Sequence, residues 1–239
     1  LWAALPSIVS YYFGQGSGLL TLVSVVSLLM MVVSANVLRV TSSWQATMLA
    51  TMLVAIAVTL GFGLLLSAEV DLLIAKVSEI FAEIAASQGG QQAEGQEPVV
   101  PTRPLVLGLV ALMLSISAIV SLLLSRWWQA MLYNPGGFQQ EMHQLRLSPI
   151  VAAGTLGLLL VCLAFGSIGL VRWVPLLMVP LVVAGVCFVH WLVAAKAMAG
   201  NWLVIMYIML VLLAQLTHPI MAFIALTDSW LDLRKRIRL

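Results

Sequence analysis

Four stretches of this chain, residues 16–38, 42–68, 104–125 and 147–171, each run for more than twenty positions without an acidic or basic side chain. At a rise of about 1.5 Å per residue, about 20 helical residues match a hydrocarbon core roughly 30 Å thick, so each stretch is long enough to cross a bilayer. Lipid offers the backbone no hydrogen bonds, and a helix satisfies its amides and carbonyls within one segment. The expected class is therefore all-α, a polytopic helical membrane bundle. Composition agrees: 62% of residues are apolar and 8% charged, against about 25% charged in an ordinary soluble domain.

The whole chain, 1–239, reads as a single membrane domain. Residues 1–13 look like the end of a span or a short embedded segment, and the glycines within 14–18 mark a turn. Spans are then expected at 16–38, 42–66, 104–125, 148–171, 173–198 and 202–227, about six or more in all. Arg172 joins two of them into a hairpin, and Pro175, Pro180 and Pro219 are places where a span can fail to cross. Leu1 stands where a Met would open a chain and the sequence there is already apolar, so further residues, spans among them, are expected before it.

One insertion, 69–103, interrupts the apolar pattern. Val70, Leu73, Ile74, Val77, Ile80, Phe81 and Ile84 recur at helical spacing, with Glu69, Asp71, Lys76, Glu79 and Glu83 between them. That is an amphipathic helix, a connector packed on the domain or lying in the interface. Residues 88–103, rich in Gly, Gln, Glu and Pro, should form a mobile loop, having too little apolar surface to offset ordering entropy.

The net charge is only +2, but Arg234, Lys235, Arg236 and Arg238 crowd the last six residues. Such a cluster reads as a membrane-surface anchor and places the C-terminus in the cytoplasm, where anionic lipid adds about 1 kcal/mol per basic residue. If every span crosses, Lys76, Arg103 and Arg172 share that side, while Arg39, Arg126, Arg146 and Lys196 lie opposite. Arg39 and Trp44 mark an interface by the same reasoning. Cys162 and Cys187 sit in apolar runs and read as small buried hydrophobes.

Few residues suggest chemistry. Tyr133-Asn134-Pro135-Gly136-Gly137-Phe138 can reverse the chain or present amides at the membrane surface, as a polar ligand loop or merely as an anchored connection. His190, followed by Trp191, and His218, before Pro219, lie inside spans, where ionisable side chains are costly and point by default to function; a hydrogen bond to a carbonyl is the plainer alternative. Tyr133, Asn134, His190, Trp191 and His218 are therefore the candidate solute-binding residues. No metal-ligand spacing, nucleophile motif or phosphate loop occurs, and the acids fall outside the spans, so no metal, cofactor, nucleic-acid partner or enzymatic activity is expected. Gly154, Gly157 and Gly166, like Ala46 and Ala50, are spaced for close helix approach or for a partner subunit.

The run Arg126-Trp127-Trp128-Gln129-Ala130-Met131-Leu132-Tyr133-Asn134-Pro135-Gly136-Gly137-Phe138, followed by Leu145-Arg146-Leu147, resembles the central motif of the YybS-like family of predicted bacterial membrane proteins. Leu1-Trp2-Ala3-Ala4-Leu5-Pro6 before Tyr12-Phe13-Gly14, Val189-His190 before Leu192-Val193-Ala194, and Asp228-Ser229 extend the likeness along the chain. The resemblance implies a relation in fold to the substrate-binding S components of energy-coupling-factor transporters, and with it a solute held between spans, a partner membrane subunit and a place in the bacterial cytoplasmic membrane. The other reading is a structural or assembly protein that docks partners and has no solute site.

Overall fold

The computed structural model describes residues 18–87, 102–166 and 168–237. The leading segment 1–13, most of its glycine turn, the loop 88–101 and Arg238 lie outside the described residues. Every regular element among the described residues is a helix: α1 (Gly18–Thr41), α2 (Trp44–Leu65), α3 (Ser67–Ser87), α4 (Arg103–Tyr133), α5 (Gly137–Gln144), α6 (Pro149–Ala164), α7 (Ile168–Val171), α8 (Val174–Ala195), α9 (Asn201–Leu212), α10 (Ala214–Leu231) and α11 (Leu233–Ile237).

Among the described residues four segments are long and apolar enough to cross a membrane, Thr21–Thr41, Trp44–Leu65, Arg103–Tyr133 and Gly169–Ala195, and a fifth if α5 and α6, bent by 64°, count as one span. Their outward faces are as apolar as their inward ones. Leu29, Val32, Leu53, Leu64, Leu158, Leu160, Val204 and Ile205 are all exposed, a surface that would aggregate in water and is at home in lipid. This is a helical membrane bundle.

Local chemistry sets the helix starts. Ser43 caps α2, its Oγ accepting from Ala46 N at 3.3 Å, and Ser148 caps α6, accepting from Val151 N at 3.4 Å with Pro149 in the first turn. Gly136, at φ 87°, turns the chain from α4 into α5, a conformation that costs glycine nothing. Gly166, at φ 53°, closes α6 after 16 residues, about 24 Å. The core gathers Met30, Met48, Ala111, Leu114, Ala118, Leu147, Leu176 and Leu181, so α4 is central, with α1 and α2 on one side and α8 on another. Between α1 and α2 the Ser34 and Thr51 hydroxyls bond at 2.7 Å, polar contacts that lipid cannot replace.

One expectation about packing changes. A Cβ on Gly154, Gly157 or Gly166 would meet nothing within 4 Å, so these glycines are not close-approach points. The close approaches are at Gly108, where a Cβ would lie 2.6 Å from the Arg172 carbonyl oxygen, and at Gly185, where it would lie 2.2 Å from that of Met221. Trp44, the first residue of α2, is buried, and its Nε1 donates to Glu141 Oε2 at 3.2 Å.

The segment 202–227 is not one straight span. Helix α9 stops at Leu212, Leu213 leaves helical geometry at φ −120° and ψ 41°, and α10 starts afresh. Across the break Thr217 Oγ1 donates to the carbonyls of Met209 (3.1 Å) and Leu213 (2.9 Å), while Pro219 offers no amide to Gln215. The chain then returns to the end it left: Lys196 Nζ, just past α8, donates to Ile237 O at 3.1 Å, and Asp232 Oδ1 meets Arg146 Nη1 at 2.7 Å. The C-terminal helix therefore shares an end of the bundle with Arg39, Arg126, Arg146 and Lys196, which the sequence reading placed on the opposite side. At the other end are Arg103, bonded to Gly63 O at 3.1 Å, Arg172 beside Gly108, and α3 with Lys76. The first turns of α3 pack on the bundle through Val70 against Phe62 and Leu107.

Candidate functional site

Helix α5 is a wall shared by two clefts at the basic end. Its Glu141 and Gln144 face a polar cleft of about 1000 Å³, walled also by the ends of α1 and α4 and the start of α2. Its Phe138, Met142 and His143 face an apolar cleft of about 800 Å³ between α4 and α8. Residues three or four apart share a helix face, so eight residues suffice to serve both.

In the apolar cleft Leu123, Ala130, Val182, Val183, Val186 and Cys187 supply the walls, and His190 Nε2 lies 2.8 Å from Tyr207 Oη. Their rings meet edge to face with centroids 5.7 Å apart. Trp127, Met131 and Tyr207 are exposed on its rim, so the cleft is open on that side. Small-molecule sites have this character: a largely apolar concavity of roughly 300–1,000 Å³ with a few polar groups that fix orientation.

The five candidate residues part company. His190 lines the apolar cleft. Trp191, its neighbour, points elsewhere: it is buried and packs on Phe188 with ring centroids 5.5 Å apart. Tyr133 is 85% exposed at the end of α4, Asn134 caps that helix with its N–H donating to Ala130 O at 2.9 Å, and neither lines either of these two clefts. His218 lies on α10, away from both clefts. The sequence reading missed Tyr207, which stands in a wholly apolar run and meets His190 only because α9 folds back along α8. A Tyr in such a run was the available signal.

The basic tail also differs from expectation. Asp232 adopts left-handed geometry at φ 49° and turns α11 back onto the bundle. Arg234 is then inside, not on the membrane surface: its side chain is 12% exposed, and its Nε bonds the 3%-exposed Asp228 at 2.9 Å. Its Nη2 donates to Leu145 O at 2.8 Å and its Nη1 to His143 O, and its guanidinium carbon lies 5.8 Å from the ring centroids of both Phe188 and Trp191. Lys235 and Arg236 are exposed, Lys235 pairing with Asp232 at 2.7 Å.

The Lys235 ammonium, followed by the Arg146 guanidinium, holds the Asp232 carboxyl below the usual carboxylate range. A depressed carboxyl stabilises the fold above its unfolded value, about pH 4, and that stabilisation is lost as pH falls through the lower folded value. In thermal unfolding across pH, the deficit of Asp232→Asn relative to wild type should be constant above about pH 5 and shrink below about pH 4. A deficit unchanged down to about pH 2 would mean that Asp232 takes no part in holding the tail.

No three of His, Cys, Asp and Glu among the described residues are grouped to hold a metal, and both cysteines are free and buried. No protein-family model, curated protein or solved structure matches the chain.

Proposed function

We propose that this chain is a non-enzymatic, transporter-like component of the bacterial cytoplasmic membrane that binds a small, mostly apolar molecule bearing one polar group. The apolar cleft carries this reading: its volume suits such a molecule, and its side opening on lipid is the route by which one would arrive. The His190–Tyr207 pair is the place for the polar group, since imidazole and phenol each donate and accept. Of the five sequence candidates, His190 is the one this site uses. The role is the one implied by the resemblance to the YybS-like family and its relation in fold to the S components.

The folded-back tail also supports an orientation. Arg39, Arg126, Arg146, Lys196, Arg234, Lys235 and Arg236 gather at one end, seven basic residues against Lys76, Arg103 and Arg172 at the other. The excess favours a cleft end and C-terminus on the cytoplasmic side.

Native mass spectrometry of the purified chain tests the site. Wild type should carry a small molecule out of the micelle, and Val186→Trp, which fills the cleft, should lose it while unfolding at an unchanged temperature. His190→Ala should weaken retention about tenfold, the worth of one good hydrogen bond, and His218→Ala should leave it intact. Equal retention by wild type and Val186→Trp would remove the site, leaving the docking role as the better reading.

A further inference from the structure

The polar cleft on the other face of α5 has a different occupant. We infer that it binds a phosphodiester, the headgroup phosphate of a bilayer phospholipid, with Arg39 as the principal contact.

Charge is the first argument. Three guanidinium groups, of Arg39, Arg126 and Arg146, line the cleft against one carboxylate, Glu141. Arg126 is committed to Glu141 and to Gln129 Oε1 at 3.1 Å, and Arg146 to Asp232 and to Ser229 O at 3.1 Å. Arg39 is exposed, and among the described residues it has no ion pair. The tally leaves one uncompensated positive charge. A phosphodiester carries one negative charge, whereas a phosphate monoester carries about two at neutral pH. A guanidinium fork also matches two phosphate oxygens at once.

The surroundings agree. The start of α2, through Ser43, Trp44 and Gln45, opens onto the cleft and brings the positive end of a 22-residue helix. Ser42 and Ser125 add hydroxyls. Below them Ala35, Leu38 and Leu122 continue the wall in apolar side chains, and the outer face of α1 exposes Leu29, Val32 and Val33. A headgroup held at Arg39 would thus lay its acyl chains along an apolar surface already facing lipid. About 1000 Å³ leaves room for the glycerol as well.

The test measures uptake by the full chain in non-ionic micelles, read by native mass spectrometry. The probes are phosphatidylglycerol, diacylglycerol with the same chains, and glycerophosphoglycerol, the soluble headgroup alone. Wild type should prefer phosphatidylglycerol over diacylglycerol by about tenfold, a charge-assisted contact. Arg39→Gln should lose most of that preference, and Lys76→Gln, at the far end, should keep it. Added salt should weaken uptake of phosphatidylglycerol and not of diacylglycerol. Undiminished preference in Arg39→Gln, equal uptake of the two lipids, or salt-independent uptake overturns the site. Glycerophosphoglycerol binding as tightly as the lipid overturns the lipid assignment in favour of a soluble phosphodiester. His190→Ala should leave every one of these results unchanged, which separates this site from the apolar cleft.

Discussion

Replacing Arg234 by Met should lower stability by about 3–5 kcal/mol, the usual cost of removing one partner from a buried ion pair. The guanidinium sits over two rings and satisfies the Asp228 carboxylate, at 3% side-chain exposure, together with two carbonyls of the α5–α6 connection. Met keeps the aliphatic bulk and deletes the charge. Asp228, whose Oδ1 already has no hydrogen-bond partner, would then be left as an unpaired buried anion. Reversible unfolding in mixed micelles measures the loss. The double variant Asp228→Leu/Arg234→Met should recover most of it, because exchanging a buried pair for apolar groups is often close to neutral. A single variant within about 1 kcal/mol of wild type would show that the tail is not docked as described.

Gly185→Ala should be nearly as damaging, at about 3 kcal/mol, the upper end for overpacking, because both sides of the contact are backbone. The added methyl would lie 2.2 Å from the carbonyl oxygen and 2.8 Å from the carbonyl carbon of Met221, where α8 packs on α10. No rotamer can relieve a clash with a main chain, so the two helices must separate. The same exchange at Gly61, where a Cβ would meet nothing within 4 Å, should instead stabilise α2 by about 0.5–1 kcal/mol, the helix preference of Ala over Gly. The unfolding assay used for Arg234 reads both. Equal effects at the two positions would contradict the packing of α8 on α10.

The two predictions concern features of different legibility. Gly185 lies in a run with no small-residue repeat, whereas Gly154 and Gly157 advertise one and touch nothing. Spacing shows which helix face is small; it does not show whether a second helix lies on it. Helix starts were local and readable: Ser43 and Ser148 cap α2 and α6 through residues three positions on. Asp228 and Arg234 are six apart, a separation with no helical meaning, and they meet because Asp232 reverses the chain between them. The candidate site was half visible for the same reason. His190 drew attention as a charge-capable group in an apolar run, but its partner is 17 residues away, beyond a turn.

From its amino-acid order alone the chain settled its solvent and its class, because the length of an apolar run and the cost of an unbonded amide in lipid are properties of a segment, indifferent to what lies beside it. Which end of the bundle each loop reaches was decided only by tertiary structure. The reversal at Leu213 brings the tail to Lys196 and Arg146, making one basic end of groups that a count of crossings divides between two. Arg234 reaches carbonyls some 90 residues away, those of His143 and Leu145, and becomes part of the core instead of a surface anchor. Such contacts depend on three-dimensional proximity, and no local pattern of polarity encodes them.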